Sequence, residues 1–491
     1  MAAYAVLCRL KGLTMLNRRW LPLLFVILAT GALAQDPAFE AVPCPKGVRA
    51  TRCGYVRVPE DRANPVRTIR LFVYGVENRS PGKAPDPVFF LAGGPGEHAA
   101  MSTVLAGLFD DRDFVTFDQR GVGRSQPALD CTEESAGSSP SFPSEKEAEE
   151  ALRALEACGQ RLRAAGVDLS AYNATESAAD VEDIRRALGY GKINLFGSSY
   201  GTRLALEVMR RFPGALRAVV LDAVLPPQVD RPVETVRAVE EAFLGVLAAC
   251  RADARCQAAY PDLEQAHAEV YDRLSRQPLT VPYGRSTVQI DGDGFQSLVF
   301  LSLYSSLTIA ELPSLVHALR EGQTVALARS TVWWLLQNIS GVITVGAFFA
   351  HECRGEMAYS SLEGLRAAYA EFPRWRGSLG RGPGVSSERG FAVWRAWGLT
   401  QPSGEENSPV KSDVPTLLLA GQFDPVTPPR WLELAAEGLS NAYAFELLGQ
   451  SHGAGLGSEC GHSVIRAFLS DPSARPDAAC TEQLRPWFKV P

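Results

Sequence analysis

The chain has 491 residues, of which 46% are hydrophobic and 21% charged, with a formal net charge of −6. That length exceeds what a single core usually organises, so one large domain carrying an inserted second one is expected. The acidic balance, with no basic stripe to offset it, excludes nucleic acid as a partner class, and no C-x-x-C or H-E-x-x-H spacing points to a metal site, so neither metal nor cofactor is expected.

Residues 1–34 carry Arg9, Lys11, Arg18 and Arg19 and no acid, followed by the apolar run Leu21–Ala29 and the small-residue site Ala32-Leu33-Ala34. This pattern predicts a signal peptide and a secreted or periplasmic address, with no stable membrane anchor after cleavage because the run is too short to span comfortably. Met15, just before Leu16-Asn17-Arg18-Arg19, is an alternative start. Beyond the cleavage site, eight cysteines fall into near neighbours: Cys44 with Cys53, Cys131 with Cys158, Cys250 with Cys256, and Cys460 with Cys480. Local closure is the simplest pairing, it suits an oxidising compartment, and it leaves Cys353 as a buried free thiol.

Short apolar runs alternate with helical patterns through the first half of the chain. Val88–Leu91, Phe114–Phe117, Ile193–Phe196 and Ala218–Leu221 suit buried strands of a sheet covered on both faces, and a helix over Glu176–Leu188 places Val181, Ile184 and Leu188 on one face. Cys131–Ser144, rich in Ser, Pro and Glu, reads as a surface excursion. From about Pro226 to Val410 the strand rhythm stops and Ala/Leu/Arg/Glu-rich helical segments take over. The expected division is therefore a core over 35–225, a helical lid insertion over 226–410, and the rest of the core over 411–491. Of Tyr304, Trp333, Trp334, Trp375, Trp394 and Trp397, all within the insertion, most are expected to serve packing and not substrate contact.

Gly197-Ser198-Ser199-Tyr200-Gly201 follows the strand ending at Phe196 and precedes a helical run from Thr202. A G-x-S-x-G at a strand-to-helix turn is a nucleophile elbow, with Ser199 strained and exposed above an α/β-hydrolase sheet. Such a serine needs, later in the chain, an acid and then a histidine at strand ends. Thr416–Ala420 is a short buried strand, and Asp424 is the sole carboxylate of the loop Gly421–Pro428 that follows; an Asx-turn at Pro425 is the bland alternative. His452 lies in a loop after the strand-like Ala444–Leu448, whereas His462 begins what reads as the last helix, so His452 is the expected general base. Val88–Leu91 runs into Ala92-Gly93-Gly94-Pro95-Gly96, and the N–H groups of Gly94 and Tyr200 are the expected oxyanion donors.

Gly93-Gly94-Pro95-Gly96, the segment Phe117–Ser125 and the serine elbow together resemble the proline iminopeptidase and tripeptidyl aminopeptidase group of α/β-hydrolase serine peptidases. The opening Cys53–Asp61 and the ending Thr416–Cys480 resemble its secreted, tripeptidyl-aminopeptidase-like branch. One departure is Ala92, where the group usually has His before the glycines; backbone donors are unaffected. The resemblance implies release of short units (proline, other single residues or tripeptides) from peptides with a free N-terminus, through an acyl-enzyme and without a cofactor. It also points to His351–Glu356, because the group's lid has a cysteine closely followed by an acid that receives the substrate amine. Here Gly355 stands second after Cys353 and the acid third, so Glu352 and Glu356 are both candidates; the alternative is that they solvate a helix or pair with Arg354. A carboxylesterase or lipase-like enzyme of the same fold is the competing function, and a non-catalytic binding protein a third. An elbow serine, not aspartate, disfavours epoxide and haloalkane hydrolases.

Overall fold

Among the described residues there are eleven strands, and nine of them form one sheet. The computed structural model describes residues 37–133, 143–283, 286–338, 341–399 and 404–491; the signal-peptide reading and 134–142 of the expected surface excursion lie outside the described residues. The strands are β1 (Phe39–Val42), β2 (Arg52–Pro59), β3 (Thr68–Val76), β4 (Val88–Leu91), β5 (Phe114–Phe117), β6 (Ile193–Ser198), β7 (Leu216–Asp222), β8 (Leu279–Tyr283), β9 (Ser286–Ile290), β10 (Thr416–Gly421) and β11 (Ala442–Leu447). The large sheet has the order β1-β2-β3-β5-β4-β6-β7-β10-β11. From β5 to β11 all neighbours are parallel, while β1, β2 and β3 add an antiparallel edge.

Burial explains why the parallel strands read so plainly: β4, β5 and β10 are buried at every position, because helices cover both faces. The antiparallel edge carries a weaker signal. In β2, Arg52-Cys53-Gly54-Tyr55-Val56-Arg57-Val58-Pro59 alternates between buried and outward positions, so no apolar run marks it. The helix expected over 176–188 spans Ala174–Ala187, started by the Asn173 side chain accepting from the Glu176 N–H, and it buries Val181 and Ile184.

Between β7 and β10 the chain is mainly helical, from Arg231–Ala252 to Glu388–Trp397, with the hairpin β8–β9 as an element the sequence reading did not include. Its apolar core is shared with the helix Glu145–Ala164, whose Leu155 carbonyl accepts from the Trp397 indole at 3.0 Å. Trp333, Trp375 and Trp397 are fully buried packing residues, whereas Trp334 is 60% exposed. Among the described residues no helix is long and apolar enough to cross a membrane.

The structure joins Cys44 to Cys53, Cys131 to Cys158, Cys250 to Cys256 and Cys460 to Cys480, and leaves Cys353 buried and free. Burial pushes the Cys353 thiol well above its ordinary range, so it is an inert core residue. Peptide mapping without reductant is expected to recover these four bridges. Full reduction is expected to lower stability by about 2–4 kcal/mol per closed loop, read as a shift of the urea midpoint.

Candidate active site

Strand β6 ends at Ser198, and the helix Tyr200–Arg211 starts two residues later, which forces Ser199 to φ 55°, ψ −127°. A non-glycine residue in this region costs on the order of 1–3 kcal/mol and persists only where its surroundings determine it. The surroundings here do so. The Ser199 N–H donates to the Asp222 carbonyl at 3.0 Å, and the Ser199 carbonyl accepts from the Thr202 N–H at 2.8 Å and its hydroxyl at 2.6 Å. A β-carbon on Gly201 would stand 2.0 Å from the Leu91 carbonyl, and one on Gly197 2.4 Å from the Gly201 carbonyl. Both glycines are thus required for the backbones to cross.

The loop after β4 reaches the same place. Gly93 lies so close that a β-carbon there would be 3.0 Å from Ser199 Cβ, and Gly94 adopts φ 101°. Residues of the next strand end hold this loop: Gln119 Nε2 donates to the Ala92 carbonyl at 2.9 Å, and the buried Asp118 carboxylate accepts from the Ala99 N–H at 2.9 Å, the Arg124 N–H at 2.9 Å and the Tyr74 hydroxyl at 3.1 Å. Arg120 is fully buried and binds Asp180 through two 2.8 Å bonds and the carbonyls of Glu60 and Ala171 at 2.7 and 2.6 Å. The segment Phe117–Ser125 is therefore a frame for the glycine loop. Neither the Gly94 nor the Tyr200 N–H is taken up by a loop or turn carbonyl among the described residues.

From the other half of the core, Asp424 follows β10 and His452 follows β11. His452 Nδ1 lies 2.8 Å from Asp424 Oδ2, the arrangement in which the ring N–H donates to the carboxylate. The other oxygen of Asp424 accepts from the N–H groups of Val426 and Thr427 at 2.9 and 2.8 Å. Thr427 Oγ1 donates to Oδ2 at 2.6 Å and lies 3.2 Å from His452 Nδ1. Tyr304 packs edge-on to the imidazole at 5.4 Å between centroids. Burial disfavours the imidazolium, but the Asp424 and Asp222 carboxylates outweigh it and raise the His452 pKa above its ordinary value.

Asp222, Thr427 and Tyr304 were not among the residues singled out as site residues. Asp222 closes β7 and is wholly buried; its carboxylate accepts from the Gly455 and Leu456 N–H groups at 3.0 Å each, tying the His452 loop to the strand end beneath the elbow. Burial pushes it up to about 6, against those two bonds. Thr427 had a signal, since a threonine three residues after an aspartate is a turn-former whose hydroxyl can return to the carboxylate. Asp222 had none, being one more polar residue at the end of an apolar run. His462 bonds the Leu456 carbonyl at 2.9 Å from the first turn of the helix Glu459–Ser470, away from this pairing; a further short helix, Ala479–Gln483, follows it.

Glu352 and Glu356 lie at the end of the helix Val345–Gly355, both buried and both paired with arginines, Glu352 with Arg231 and Glu356 with Arg203 Nε at 3.1 Å. Arg354 pairs instead with Glu406, at 3.4 Å. Glu352 Oε2 and Glu356 Oε2 have no hydrogen-bond partner, and Glu356 Oε1 has the Arg203 ion pair alone. Burial raises both carboxyls against the pull of those arginines, Glu356 to about 7. The cluster adjoins the elbow, because the Tyr200 hydroxyl meets His351 Nδ1 at 2.9 Å.

Residues 86–310 match the family model described as the alpha/beta hydrolase fold, and residues 390–480 the one described as TAP-like protein. The tripeptidyl aminopeptidase of Streptomyces coelicolor is 33% identical over 199 residues, 37% of this chain and 36% of that protein. The serine protease Hip1 of Mycobacterium bovis is 28% identical over 221 residues, 42% of each chain. A proline iminopeptidase of Neisseria meningitidis is 30% identical over 167 residues, 33% of this chain and 39% of that protein. This chain thus spans well under half the length of each of these three curated relatives.

Proposed function

We propose that this chain, an α/β-hydrolase similar to the tripeptidyl aminopeptidases and proline iminopeptidases, is an extracytoplasmic serine exopeptidase that removes short N-terminal units through an acyl-enzyme. The observation that carries the reading is the meeting of three strand ends: a strained serine, a glycine loop against its β-carbon, and a histidine bonded to a buried aspartate. With Nδ1 occupied by Asp424, His452 Nε2 takes the proton of Ser199 Oγ as that oxygen attacks the substrate carbonyl. The oxyanion is received by the N–H groups of Gly94 and Tyr200. His452 then returns the proton to the leaving amine, and a water activated by the same imidazole hydrolyses the ester.

The roof over this site is the helical insertion, and the substrate's free amine goes to Glu352 and Glu356. Glu352 Oε2 and Glu356 Oε2 are buried without a hydrogen-bond partner, and an ammonium can donate to both. A carboxyl held up by burial is also stabilised in its charged form when a cation arrives beside it. Chromogenic anilides of proline, alanine and tripeptides, each free and N-acetylated, test the reading. Turnover of the free forms and rejection of the acetylated ones is expected; equal turnover of both, together with fast ester cleavage, establishes the esterase instead.

The pH dependence is a separate expectation. Catalysis requires neutral His452, and its pKa is raised, so kcat/KM falls as pH drops through a value above the ordinary imidazole pKa of about 6.5. An acid limb below that value in a kcat/KM profile is incompatible with the Asp424–His452 pairing as described.

A further inference from the structure

One carboxylate faces the nucleophile without a cation of its own. Glu97 closes the turn made by Gly93-Gly94-Pro95-Gly96, and its Oε2 lies 3.5 Å from the point where a β-carbon on Gly93 would stand, the same point that is 3.0 Å from Ser199 Cβ. The glutamate and the serine thus flank a single glycine. No Lys or Arg pairs with Glu97 among the described residues, whereas Glu352 and Glu356 are each matched by an arginine. The groups facing it are the Gly93 N–H, His452 and His98; burial raises its pKa and those three lower it. His98 is itself engaged, its Nε2 lying 2.9 Å from Thr344 Oγ1.

We propose that Glu97 is a second substrate-reading carboxylate, specific for a positive charge carried within one residue of the scissile carbonyl. The distance argument is simple. The α-ammonium of a one-residue acyl group is two bonds from the reacting carbon, about 2.5 Å, while a three-residue acyl group carries its ammonium two residues further away, about 7 Å. A carboxylate that shares a glycine with the nucleophile reaches the first and misses the second. A Lys or Arg side chain beside the scissile bond can bring its charge to the same position when its flexible stem bends back over its own residue. The inference rests on the exopeptidase reading for its substrate class, although the charge preference itself is independent of whether an amide or an ester is cut.

The test uses Glu97→Gln, which keeps the shape and removes the charge, and Glu97→Lys, which reverses it, each confirmed as folded and active-site competent by labelling with a fluorophosphonate probe. Two ratios of kcat/KM are measured for the parent and both variants: free over N-acetylated alanine p-nitroanilide, and N-acetyl-lysine over N-acetyl-norleucine p-nitroanilide, with the matching p-nitrophenyl esters alongside. The parent is expected to favour the cation in at least one ratio, and Glu97→Gln to reduce that ratio about 30- to 1,000-fold, with Glu97→Lys reducing it further. A fall in the first ratio assigns the α-ammonium; a fall in the second assigns a basic side chain. If the parent shows no preference for either cation, or if both variants label normally and neither ratio changes by more than about threefold, the proposal is wrong. Should the parent cut esters but no anilides, the peptidase reading fails, and the ester ratios then decide the role of Glu97 by the same criteria.

Discussion

Ser199→Ala is expected to give a folded protein that loses all fluorophosphonate labelling and about 10⁴- to 10⁶-fold in turnover. The elbow does not depend on the hydroxyl: its geometry comes from the Ser199 N–H and carbonyl, bonded to Asp222 and Thr202, and from the glycines on either side. Removing Oγ therefore deletes the nucleophile and leaves the backbone that presents it. Residual hydrolysis reflects the oxyanion donors and substrate binding alone. Covalent labelling that persists at another serine overturns the assignment of Ser199.

Arg120→Met is expected to be the most damaging single change away from the nucleophile, costing about 3–5 kcal/mol of unfolding free energy. Arg120 and Asp180 are both fully buried and joined by two hydrogen bonds. Burial alone raises the Asp180 pKa, yet Arg120 and Arg62 more than reverse this and hold it below the ordinary carboxylate range. Taking Arg120 away leaves that carboxylate with Arg62 alone, at 2.9 Å and partly exposed, and strips the Glu60 and Ala171 carbonyls of their donor. Urea unfolding of Arg120→Met, Asp180→Asn and the double variant measures the coupling; the double variant is expected to lose at least about 1 kcal/mol less than the two singles together. A cost below about 1 kcal/mol for Arg120→Met removes the pair from any account of what holds the glycine loop's frame.

What could be read in the amino-acid sequence is what depends on short range. The elbow glycines, Asp424, His452 and the four cysteine pairs each declare themselves within a few residues, because a tight turn, a strand end or a small loop imposes a residue type locally. The parallel strands were equally legible, since burial on both faces removes polar residues from them. The antiparallel edge was less so, as β2 mixes two arginines with its buried positions. The arginine partners of Glu352 and Glu356 had no legible signal: Arg231 and Arg203 lie 121 and 153 positions earlier in the chain, and no periodicity links helices that far apart. Glu97 went unremarked for a different reason. A glutamate just past a glycine turn is an ordinary surface residue until the fold shows which serine shares the turn.

The insertion and the glycine loop are stitched together by main-chain bonds. His98 N–H donates to the Val342 carbonyl and Thr344 N–H to the Gly96 carbonyl, at 2.9 Å each, Glu97 bridges to Ile343, and a β-carbon on Gly96 would stand 2.9 Å from the Thr344 carbonyl. An insertion fastened at that seam cannot swing away as a rigid flap without unpicking the backbone of the glycine loop, which is proposed to receive the oxyanion. Trimming away the insertion is accordingly expected to disturb the glycine loop itself, because the strip removed is also its brace.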